Sequence, residues 1–597
     1  KKLFLGINLR YKPLPKENIM KLAGNDMLIQ SLINEGVEYI FGYPGGAALH
    51  IYDAIFNQKS MQHILVRHEQ GATHAADGYA RATGKPGVVM LTSGPGATNA
   101  ITGIATAFMD SIPMVVISGQ VQSHLIGTDA FQETDMIGIS RPIVKHSFTV
   151  DHQKNIPNIV KEAFHIATSG RQGPVVIDVP KDLTNPDDLF DYEYPESVSI
   201  RSYNPPVEPE ENQISRVIEA LKECKKPVIY AGGGTIASNA SEELRELNSY
   251  IKAPVTNTLM GLGVYPGTDK YFLGMLGMHG TYQANMAMHN ADLILAVGAR
   301  FDDRITNTPE KFAPRAKIVH FDVDHSSVSK IIEADIAVFG QVKNSLTQIN
   351  NKLREEVSHF SEDKYSDWHR QIAEWRDAHG LDHNMYKNND DSHPILPQAA
   401  VQHIYQASEG KAFVTSDVGQ HQMFAAQYYH FDEPRKWINS GGLGTMGFGL
   451  PSAMGVKLAF PEEEVICITG EGSIQMCIQE LSTCSQYKLP IKIFNINNLA
   501  LGMVKQWQDM NYDGRHSSIS YEDSLPDFSK LVESYGHVGI KITKNSELKS
   551  GIEKALSLRD KLVFVDIYVD PDEHVYPMLV APNGSLKDMW LSKGNKT

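Results

Sequence analysis

The sequence predicts an α/β protein built from three doubly wound parallel-sheet domains. Short apolar segments that look like buried strands alternate with amphipathic stretches along most of the chain, as in parallel sheets covered by helices. At 597 residues and 66.2 kDa the chain is too long for a single hydrophobic core. Two polar tracts, 186–212 and 351–397, interrupt the alternation and separate three blocks.

Each block contains several predicted strands. In the first block, 22–185, they lie at 39–41, 88–91, 114–117 and 175–179. In the second, 213–350, they lie at 228–230, 293–297 and 318–323. In the third, 398–597, they lie at 413–415, 465–468, 491–496 and 562–569. We expect the Pro-rich, acidic tract 186–212 to be a linker and 351–397 to form a charged helix and a connection.

The N-terminal segment 1–21 is predicted to be a basic extension. Lys and Pro residues interrupt any apolar or amphipathic run in it, so we expect a disordered extension rather than an import signal.

Composition indicates an ordinary globular protein of a reducing compartment. Hydrophobic residues make up 42% and charged residues 21% of the chain. The net charge of −15 is spread along the sequence and argues against a nucleic-acid or anionic-membrane partner. No apolar run approaches the roughly 18 residues that a membrane-spanning helix needs. The four cysteines show no metal-ligand spacing and are too few for a disulfide framework, which favours the cytoplasm.

The most informative segment runs from Ile466 to Met503. A buried strand leads into the turn Gly470-Glu471-Gly472-Ser473, then a helix, then a second strand that ends before Asn498. The 27 positions from Glu471 to Asn498 span one strand–helix–strand unit, so both side chains should meet at the carboxyl edge of a sheet. Mg²⁺ prefers such oxygen ligands, and glycines let the backbone approach a diphosphate. Taken alone, the G-E-G turn equally fits an ordinary loop.

This segment resembles the thiamin diphosphate (ThDP) motif, and the resemblance extends from about residue 24 to 592. The family is the large catalytic subunit of acetohydroxyacid synthase (acetolactate synthase), in its bacterial isozyme III type. The matching motifs are F-G-Y-P-G-G-A at 41–47, R-H-E-Q at 67–70, T-S-G-P-G-A-T-N-A at 92–100, S-G-Q-V at 118–121, D-A-F-Q-E at 129–133, G-M-H-G-T-Y at 277–282, V-G-A-R-F-D-D-R at 297–304, S-D-V-G-Q-H-Q-M at 416–423 and M-V-K-Q-W-Q at 503–508.

The resemblance implies an activity and three cofactors. The expected reaction decarboxylates pyruvate and joins the two-carbon unit to a second pyruvate or to 2-ketobutyrate, the first shared step of branched-chain amino acid synthesis. The cofactors are ThDP, Mg²⁺ and a structural FAD. The first block would bind the pyrimidine, the second the flavin and the third the diphosphate, with Glu471 and Asn498 as metal ligands.

The resemblance also assigns catalytic residues. Glu69 would exchange a proton with the pyrimidine, although a glutamate here also fits a charge at the start of a helix. Arg304 would hold the acceptor carboxylate, against the alternative of a surface pair with Asp302 or Asp303. Trp507 would favour 2-ketobutyrate, and Gln120 and Lys181 match other pocket positions.

The remaining assignments concern cofactor contacts. For ThDP they are Pro44, Gly45, Gln420, His421, Gly444, Met446, Gly470, Gly472, Ser473, Ala500, Gly502 and Met503. Around the flavin and the adjoining pocket they are Arg171, Gly232, Gly233, Gly234, Met278, His279, Gly298, Arg300, Asp322 and Gln341.

Three departures and two rival functions accompany these assignments. Glu471 replaces the usual Asp, Cys477 replaces an Asn, and Gln341 stands where the family commonly has a Gly-Asp pair. The rivals are a pyruvate oxidase and an inactive chain that only binds nucleotide. Expected partners are the keto acids, a second copy of the chain in a dimer or tetramer, and a small regulatory subunit, with no nucleic acid and no membrane.

Overall fold

The computed structural model describes residues 20–596 except 357–359, 361–362 and 522. Three six-stranded parallel sheets, each combined with helices, confirm the predicted fold class. The expected extension lies almost wholly outside the described residues. No helix in the described ranges has the length and apolar character needed to cross a membrane.

The first sheet has the strand order β3-β2-β4-β5-β7-β6. The strands of this part of the chain are β1 Lys21–Ala23, β2 Tyr39–Gly42, β3 Gln62–Leu65, β4 Gly87–Leu91, β5 Met114–Gln120, β6 His146–Thr149, β7 Pro174–Pro180 and β8 Leu189–Asp191. Its helices are α1 Gly24–Asn34, α2 Leu49–Phe56, α3 Glu69–Thr83, α4 Pro95–Asn99, α5 Ile101–Asp110, α6 Met136–Ser140 and α7 Ile156–Thr168.

The central sheet has the order β11-β10-β9-β12-β13-β14. Its strands are β9 Pro227–Ala231, β10 Val255–Asn257, β11 Phe272–Met275, β12 Leu293–Val297, β13 Lys317–Asp322 and β14 Ile336–Phe339. The helices are α8 Glu211–Glu223, α9 Gly233–Ala237, α10 Ser241–Ile251, α11 Tyr282–Asn290, α12 Asp303–Thr306, α13 Val342–Glu356 and α14 Ser366–His379.

The third sheet has the order β16-β15-β17-β18-β20-β19. Its strands are β15 Phe413–Ser416, β16 Trp437–Asn439, β17 Val465–Thr469, β18 Lys492–Asn497, β19 Val538–Ile542 and β20 Val563–Tyr568. The helices are α15 Pro397–Ala407, α16 Gln420–Tyr428, α17 Gly449–Ala459, α18 Glu471–Gln475, α19 Glu480–Tyr487, α20 Gly502–Asn511, α21 Phe528–Ser534 and α22 Asn545–Ser557. A small antiparallel sheet follows, formed by β21 Met578–Leu579, β22 Met589–Ser592 and β23 Asn595–Lys596.

Strand order indicates where each of the three sheets is expected to bind a ligand. Numbered from its own first strand, the first sheet reads 2-1-3-4-6-5, and so does the third. The central sheet reads 3-2-1-4-5-6, the order of dinucleotide-binding folds. The direction in which successive strands are added to the sheet changes between β2 and β4, between β9 and β12, and between β15 and β17. We call each of these points the reversal of its sheet. Ligands of such sheets bind at the carboxyl ends of the strands beside the reversal.

The first and third blocks share one hydrophobic core. Helix α3 packs along α17, and buried residues of both blocks belong to one cluster. Two glycines allow this close approach: a Cβ at Gly78 would lie 2.2 Å from the carbonyl oxygen of Ser452, and one at Gly455 would lie 1.9 Å from that of Ala75. The two blocks are therefore held together within one chain.

Two of the expected boundaries differ from the packing. Strand β8 lies inside the expected linker 186–212 and pairs with β1, which begins inside the expected extension. At the other end, Leu579, Leu586 and Met589 join the core of the central block rather than that of the third.

Candidate functional site

A cavity of about 470 Å³ lies at the carboxyl edge of the third sheet, beside the reversal between β15 and β17. Residues of the central block close one side of it. It brings together many of the residues predicted from sequence, namely Met278, His279, Arg304, Gln420, His421, Gly444, Met446, Gly470, Glu471, Gly472, Ser473, Asn498, Ala500, Gly502, Met503 and Trp507.

Three oxygen atoms converge at the floor of this cavity. Glu471 is the first residue of α18 and is only 1% exposed. The side-chain oxygen of Asn498 lies 2.8 Å from the carbonyl oxygen of Ala500 and 3.1 Å from Oε1 of Glu471. Oxygens this close repel one another unless a cation or a hydrogen lies between them. Adjacent ligands around Mg²⁺ lie about 2.9 Å apart, since its metal–oxygen distance is about 2.0–2.1 Å. The residues present therefore fit Mg²⁺, with glutamate in place of aspartate.

The electrostatics of Glu471 agree with a cation site. Burial raises the pKa of this carboxyl to about 7, and the backbone N–H of Ala500, which donates to Oε1 at 2.8 Å, offsets only part of the effect. A divalent ion would restore the charged carboxylate. No group of three or more His, Cys, Asp or Glu side chains in the described part of the chain is placed to hold a metal ion. This mixed oxygen cluster is therefore the candidate metal site.

Glycines and one histidine shape the neighbouring space for a diphosphate. A Cβ at Gly470 would lie 2.7 Å from Nδ1 of His421, so the strand and the imidazole can meet only without a side chain there. Burial lowers the pKa of His421 to about 3 and keeps its ring neutral. Its Nε2 is buried and makes no hydrogen bond with the residues that the structure describes. An unpaired buried nitrogen of this kind fits a bound ligand.

The loop that carries Gly444 and Met446 is fixed by a buried carboxylate that the sequence analysis passed over. Asp417 follows β15 and is fully buried. It accepts hydrogen bonds from the backbone N–H groups of Gly447 and Gly449, each at 2.9 Å, and from Oγ1 of Thr469 at 2.7 Å. Its place in the motif S-D-V-G-Q-H-Q-M was the available signal.

A second carboxylate holds the same loop from the first block. Asp110, at the end of α5, accepts from the backbone N–H groups of Gly441 at 3.1 Å and Gly442 at 2.7 Å. Arg81 of α3 donates to the same carboxylate at 2.8 Å. No sequence signal connects Asp110 with a loop 331 positions away. It was found only from the structure.

The opposite end of the cavity suits a keto-acid carboxylate. The side chain of Arg304 is 64% exposed, and its Nη1 lies 3.6 Å from Sδ of Met278. Its ion pair with Asp303 is 3.5 Å long and solvent-exposed, so it restrains the guanidinium weakly. Asp302 pairs with Arg300 instead. Trp507, on α20, lines the same end.

The first sheet carries a separate set of predicted residues at its own reversal. Glu69 begins α3, is 9% exposed, and accepts at Oε2 from Nδ2 of Asn99 at 3.0 Å. A Cβ at Gly96 would lie 3.3 Å from Oε1, and one at Gly45 would clash with Thr92. Pro44 precedes Gly45 after β2, and Lys181 directly follows β7. Gly96 therefore brings backbone close to Glu69, and Gly45 and Gly96 both lie against Thr92.

Gln120 has an inward role that differs from the expected substrate contact. Its Nε2 donates to the carbonyl oxygen of Thr134 at 2.8 Å and to Oδ2 of Asp178 at 3.1 Å, and its Oε1 accepts from the N–H of Val121. All its polar atoms are thus engaged within the protein. It holds the loop of the motif D-A-F-Q-E, whose Gln132 lies against Gly94 near Glu69.

One chain does not unite the two sets. Among the described residues that line the cavity, Glu69, Pro44, Gly45, Gln120 and Lys181 do not occur. Exposed apolar side chains border each set: Tyr43, Leu49 and Phe131 near Glu69, and Leu443, Met476, Leu499 and Val504 near the cavity. Exposed apolar side chains are common on surfaces that mediate contacts with other molecules.

Four glycines, Gly232, Gly233, Gly234 and Gly298, lie close together at the reversal of the central sheet. We call them the glycine cradle. A Cβ at Gly232 would lie 2.4 Å from the carbonyl oxygen of Gly298, and one at Gly234 would lie 2.8 Å from its Cα. Gly233 stands between them, and Gly298 has a φ of +58°. Backbone exposed between β9 and β12 fits the phosphates of a dinucleotide such as FAD.

Charged residues lie along the same edge. Asp322 ends β13, and Arg171 reaches from the first block to Asp324 at 3.4 Å and Ser327 at 3.3 Å. Gln341 is exposed and follows the edge strand β14, three strands and therefore about 14 Å from β9. The structure does not bring it to the cradle.

The sequence matches three domains of the thiamine pyrophosphate (TPP) enzymes. Thiamine pyrophosphate is another name for ThDP. The matches are the N-terminal TPP binding domain over 22–139, the central domain over 214–349 and the C-terminal TPP binding domain over 417–567. The acetolactate synthase large subunit of Haemophilus influenzae is 57% identical over 573 residues, which cover 96% of this chain and 99% of that protein. The chain belongs to the acetolactate synthase large-subunit family.

Two further relatives cover nearly the whole chain. The isozyme 3 large subunit of Escherichia coli is 56% identical over 578 residues, 96% of this chain and all of that protein. The large subunit of Corynebacterium glutamicum is 43% identical over 567 residues, 94% of this chain and 89% of that protein. The cofactors of this acetolactate synthase family are ThDP, Mg²⁺ and FAD. The cavity is a fitting place for ThDP, the oxygen cluster for Mg²⁺ and the glycine cradle for FAD.

Proposed function

We infer that this chain is the catalytic large subunit of an acetolactate synthase, which decarboxylates pyruvate and joins the two-carbon unit to pyruvate or 2-ketobutyrate. The observation that carries this proposal is one cavity that contains a Mg²⁺-type oxygen cluster and is also lined by the exposed guanidinium of Arg304 and the indole of Trp507. The oxygen cluster serves the family's coenzyme. The guanidinium and the indole suit an acceptor keto acid rather than an electron acceptor.

The protein side of the chemistry divides between the two sets of residues. Bound ThDP supplies the nucleophilic carbon and the electron sink that decarboxylation of a 2-keto acid requires. Glu69 would hold or release a proton at Oε1, because Asn99 already occupies Oε2. Glu471, Asn498 and the carbonyl of Ala500 would hold Mg²⁺, and His421 would contact the diphosphate as a neutral imidazole.

Recognition of the acceptor falls to residues around the cavity mouth. Arg304 presents a planar fork that matches a carboxylate, and its exposed partner Asp303 is easily displaced. Trp507 provides an apolar surface for the extra methyl group of 2-ketobutyrate. Contact with one such group contributes about 1–3 kcal/mol.

A second copy of the chain is part of this proposal. Glu69 and the oxygen cluster belong to separate sets in one chain, and exposed apolar residues border both. A two-fold dimer would place the Glu69 set of one subunit over the cavity of the other and create two complete sites. Pairing of two such dimers would give a tetramer.

Two further assignments follow the family. Its members in the comparisons are named large subunits, which favours a small regulatory subunit as a partner of this chain. The four cysteines are buried and unpaired, as expected for a protein of the cytoplasm.

Colour detection of acetolactate tests the function directly. The chain is incubated with pyruvate, ThDP, FAD and graded Mg²⁺, with oxygen uptake recorded in parallel, beside the variant Glu471→Asp. We expect acetolactate without oxygen consumption. Oxygen uptake coupled to decarboxylation would identify an oxidase, and absence of product from both proteins would overturn the proposal.

A further inference from the structure

Three amide side chains, those of Gln506, Gln420 and Asn498, connect the C-terminal segment with the oxygen cluster, and the first two are buried. The first belongs to Gln506 of α20, which is 0% exposed. Its Oε1 accepts from the backbone N–H of Val575 at 2.9 Å, and its Nε2 donates to the carbonyl oxygen of the same residue at 2.9 Å. A backbone cannot exchange its donor and acceptor, so Val575 fixes which end of this amide is oxygen.

That orientation passes to the next two amides. Gln420 donates from Nε2 to Oε1 of Gln506 at 2.9 Å, which directs its own oxygen away from Gln506 and toward Asn498. Asn498 then donates from Nδ2 to Oε1 of Gln420 at 3.0 Å. The Asn498 oxygen is left facing the carbonyl of Ala500 at 2.8 Å and Oε1 of Glu471 at 3.1 Å. Each amide has one orientation that satisfies its neighbour.

We call these hydrogen bonds from Gln506 through Gln420 to Asn498 the relay. Without the relay, the opposite orientation of the Asn498 amide would be favoured in the absence of a cation. Rotated by half a turn, its NH₂ group would donate to both the Ala500 carbonyl and Glu471. It would then place a donor where a metal ligand is needed. The same rotation would set its oxygen 3.0 Å from Oε1 of Gln420, an acceptor against an acceptor. The relay therefore opposes an arrangement that competes with the metal.

A glycine provides space for the relay. A Cβ at Gly502 would lie 2.1 Å from Oε1 of Gln420 and 2.3 Å from Nδ2 of Asn498. Any side chain at the start of α20 would separate these two amides. The backbone there is arranged around their hydrogen bond.

We propose that Gln506 is a positioning residue for the divalent cation: through Gln420 it sets the amide of Asn498 with oxygen toward the metal. The proposal rests on the metal site of the proposed function and deepens it. It also connects the metal with α20, which carries Trp507, and with the segment around Val575. The order of the C-terminal segment thus contributes to metal affinity, although that segment contains none of the proposed metal ligands.

The chain contains a matched control on the same helix. Gln508 makes the same kind of pair with one backbone residue: its Nε2 donates to the carbonyl of Ser517 at 3.2 Å, and its Oε1 accepts from that residue's N–H at 2.9 Å. Among the residues that the structure describes, its side chain bonds to Ser517 and not to Gln420. Gln506→Met and Gln508→Met therefore remove similar bonds from one helix, and only the first interrupts the relay.

The measurement is binding of Mn²⁺ in the presence of ThDP, followed by the electron paramagnetic resonance of the free ion. We expect Gln506→Met to weaken Mn²⁺ binding by roughly 10–100-fold, the usual effect of removing a residue that orients a metal ligand. Gln508→Met should stay within about twofold of the wild type. Equal losses in both variants, or no loss in Gln506→Met, would overturn the proposal.

A double-mutant cycle separates orientation from general damage. In Asn498→Asp both ends of the side chain are oxygens, so one oxygen faces the metal in either orientation, while the other meets Oε1 of Gln420. Adding Gln506→Met to that background frees the Gln420 amide to rotate and should therefore not weaken Mn²⁺ binding by more than about threefold. A loss as large as in the native background would contradict the relay.

A conservative variant covers the case in which Gln506→Met does not fold. Gln506→Glu, with its buried carboxyl protonated, can still donate to Val575 and accept from Gln420, and it should bind Mn²⁺ more tightly than the Gln420→Met variant. The reverse order would contradict the relay. If the wild type itself binds no Mn²⁺ with ThDP, the proposed function fails, which is a separate outcome.

Discussion

Single oxygen atoms decide what this site can bind. One methylene group distinguishes Glu471 from the aspartate expected at this position, yet its Oε1 still lies 3.1 Å from the Asn498 oxygen. The backbone N–H of Ala500 donates to Oε1 of Glu471 at 2.8 Å. The longer side chain therefore reaches the cluster because the following strand end supplies a donor that anchors it.

The acceptor preference provides a prediction about Trp507. Trp507→Leu removes the flat apolar surface at the cavity mouth and should lower the preference for 2-ketobutyrate over pyruvate by roughly 10-fold or more, since one methyl contact contributes about 1–3 kcal/mol. The ratio of the two products formed from mixed substrates measures this. Gln508→Leu, on the same helix, serves as the control, and an unchanged ratio in Trp507→Leu would contradict the assignment.

Glu480 provides a prediction about pH. It accepts from the backbone N–H of Arg67 at 3.0 Å and from Oγ1 of Thr483 at 2.7 Å, and burial raises its pKa to about 7. The unfolded chain loses this proton near pH 4.3, so the folded state alone binds it between about pH 4.3 and 7. The stability of the wild type should therefore fall as pH rises through this window, by about 1.4 kcal/mol per pH unit at most.

Glu480→Gln removes that titration. The midpoint of thermal unfolding of the variant should rise relative to the wild type between about pH 4.5 and about pH 7, and the difference should become constant above about pH 7. A difference independent of pH would show that this carboxyl is charged in the folded protein.

Among the secondary-structure elements, the strands that the sequence revealed are those buried on both faces. In β4, β5, β7, β12 and β17 every residue is buried, and each strand contains a run of consecutive apolar residues. The undetected strands are mostly at sheet edges, such as β6 (H-S-F-T) and β16 (W-I-N). They are short and partly polar, because an edge strand needs less apolar surface.

Helix packing adds a prediction about glycine. Gly455→Ala places a Cβ 1.9 Å from the Ala75 carbonyl and should force α3 and α17 apart, with a loss of about 1–3 kcal/mol or more. Gly46→Ala is the matched control, because a Cβ there meets nothing within 4 Å. Thermal unfolding should shift downward only for Gly455→Ala, and equal midpoints would contradict the close helix contact.

For the molecule as a whole, the candidate site could be read from sequence only where motifs are local. The Glu471–Asn498 unit and the Gly232–Gly234 turn each lie within one supersecondary unit, and the structure brings their atoms together as expected. Contacts between distant segments could not be foreseen. Asp110 with Gly441 and Gly442, and Val575 with Gln506, depend on how whole blocks pack.

The whole molecule also explains why one chain contains two incomplete sites. The first and third sheets share one strand order, and α3 and α17 join them through a common core. This arrangement places the Glu69 set and the cavity in one packed unit, and in the proposed dimer each would be completed by the partner subunit. Subunit association and catalysis are therefore expected to be inseparable.

Mixing two inactive variants tests this central claim most directly. Glu69→Gln and Glu471→Gln are each expected to abolish acetolactate formation. After dissociation and random reassociation, half of the dimers are mixed and one of their two sites is intact, so activity should return to roughly a quarter of the wild-type value. If each site were built within one chain, no mixture could contain an intact site. Failure to recover activity, with subunit exchange demonstrated, would contradict the account.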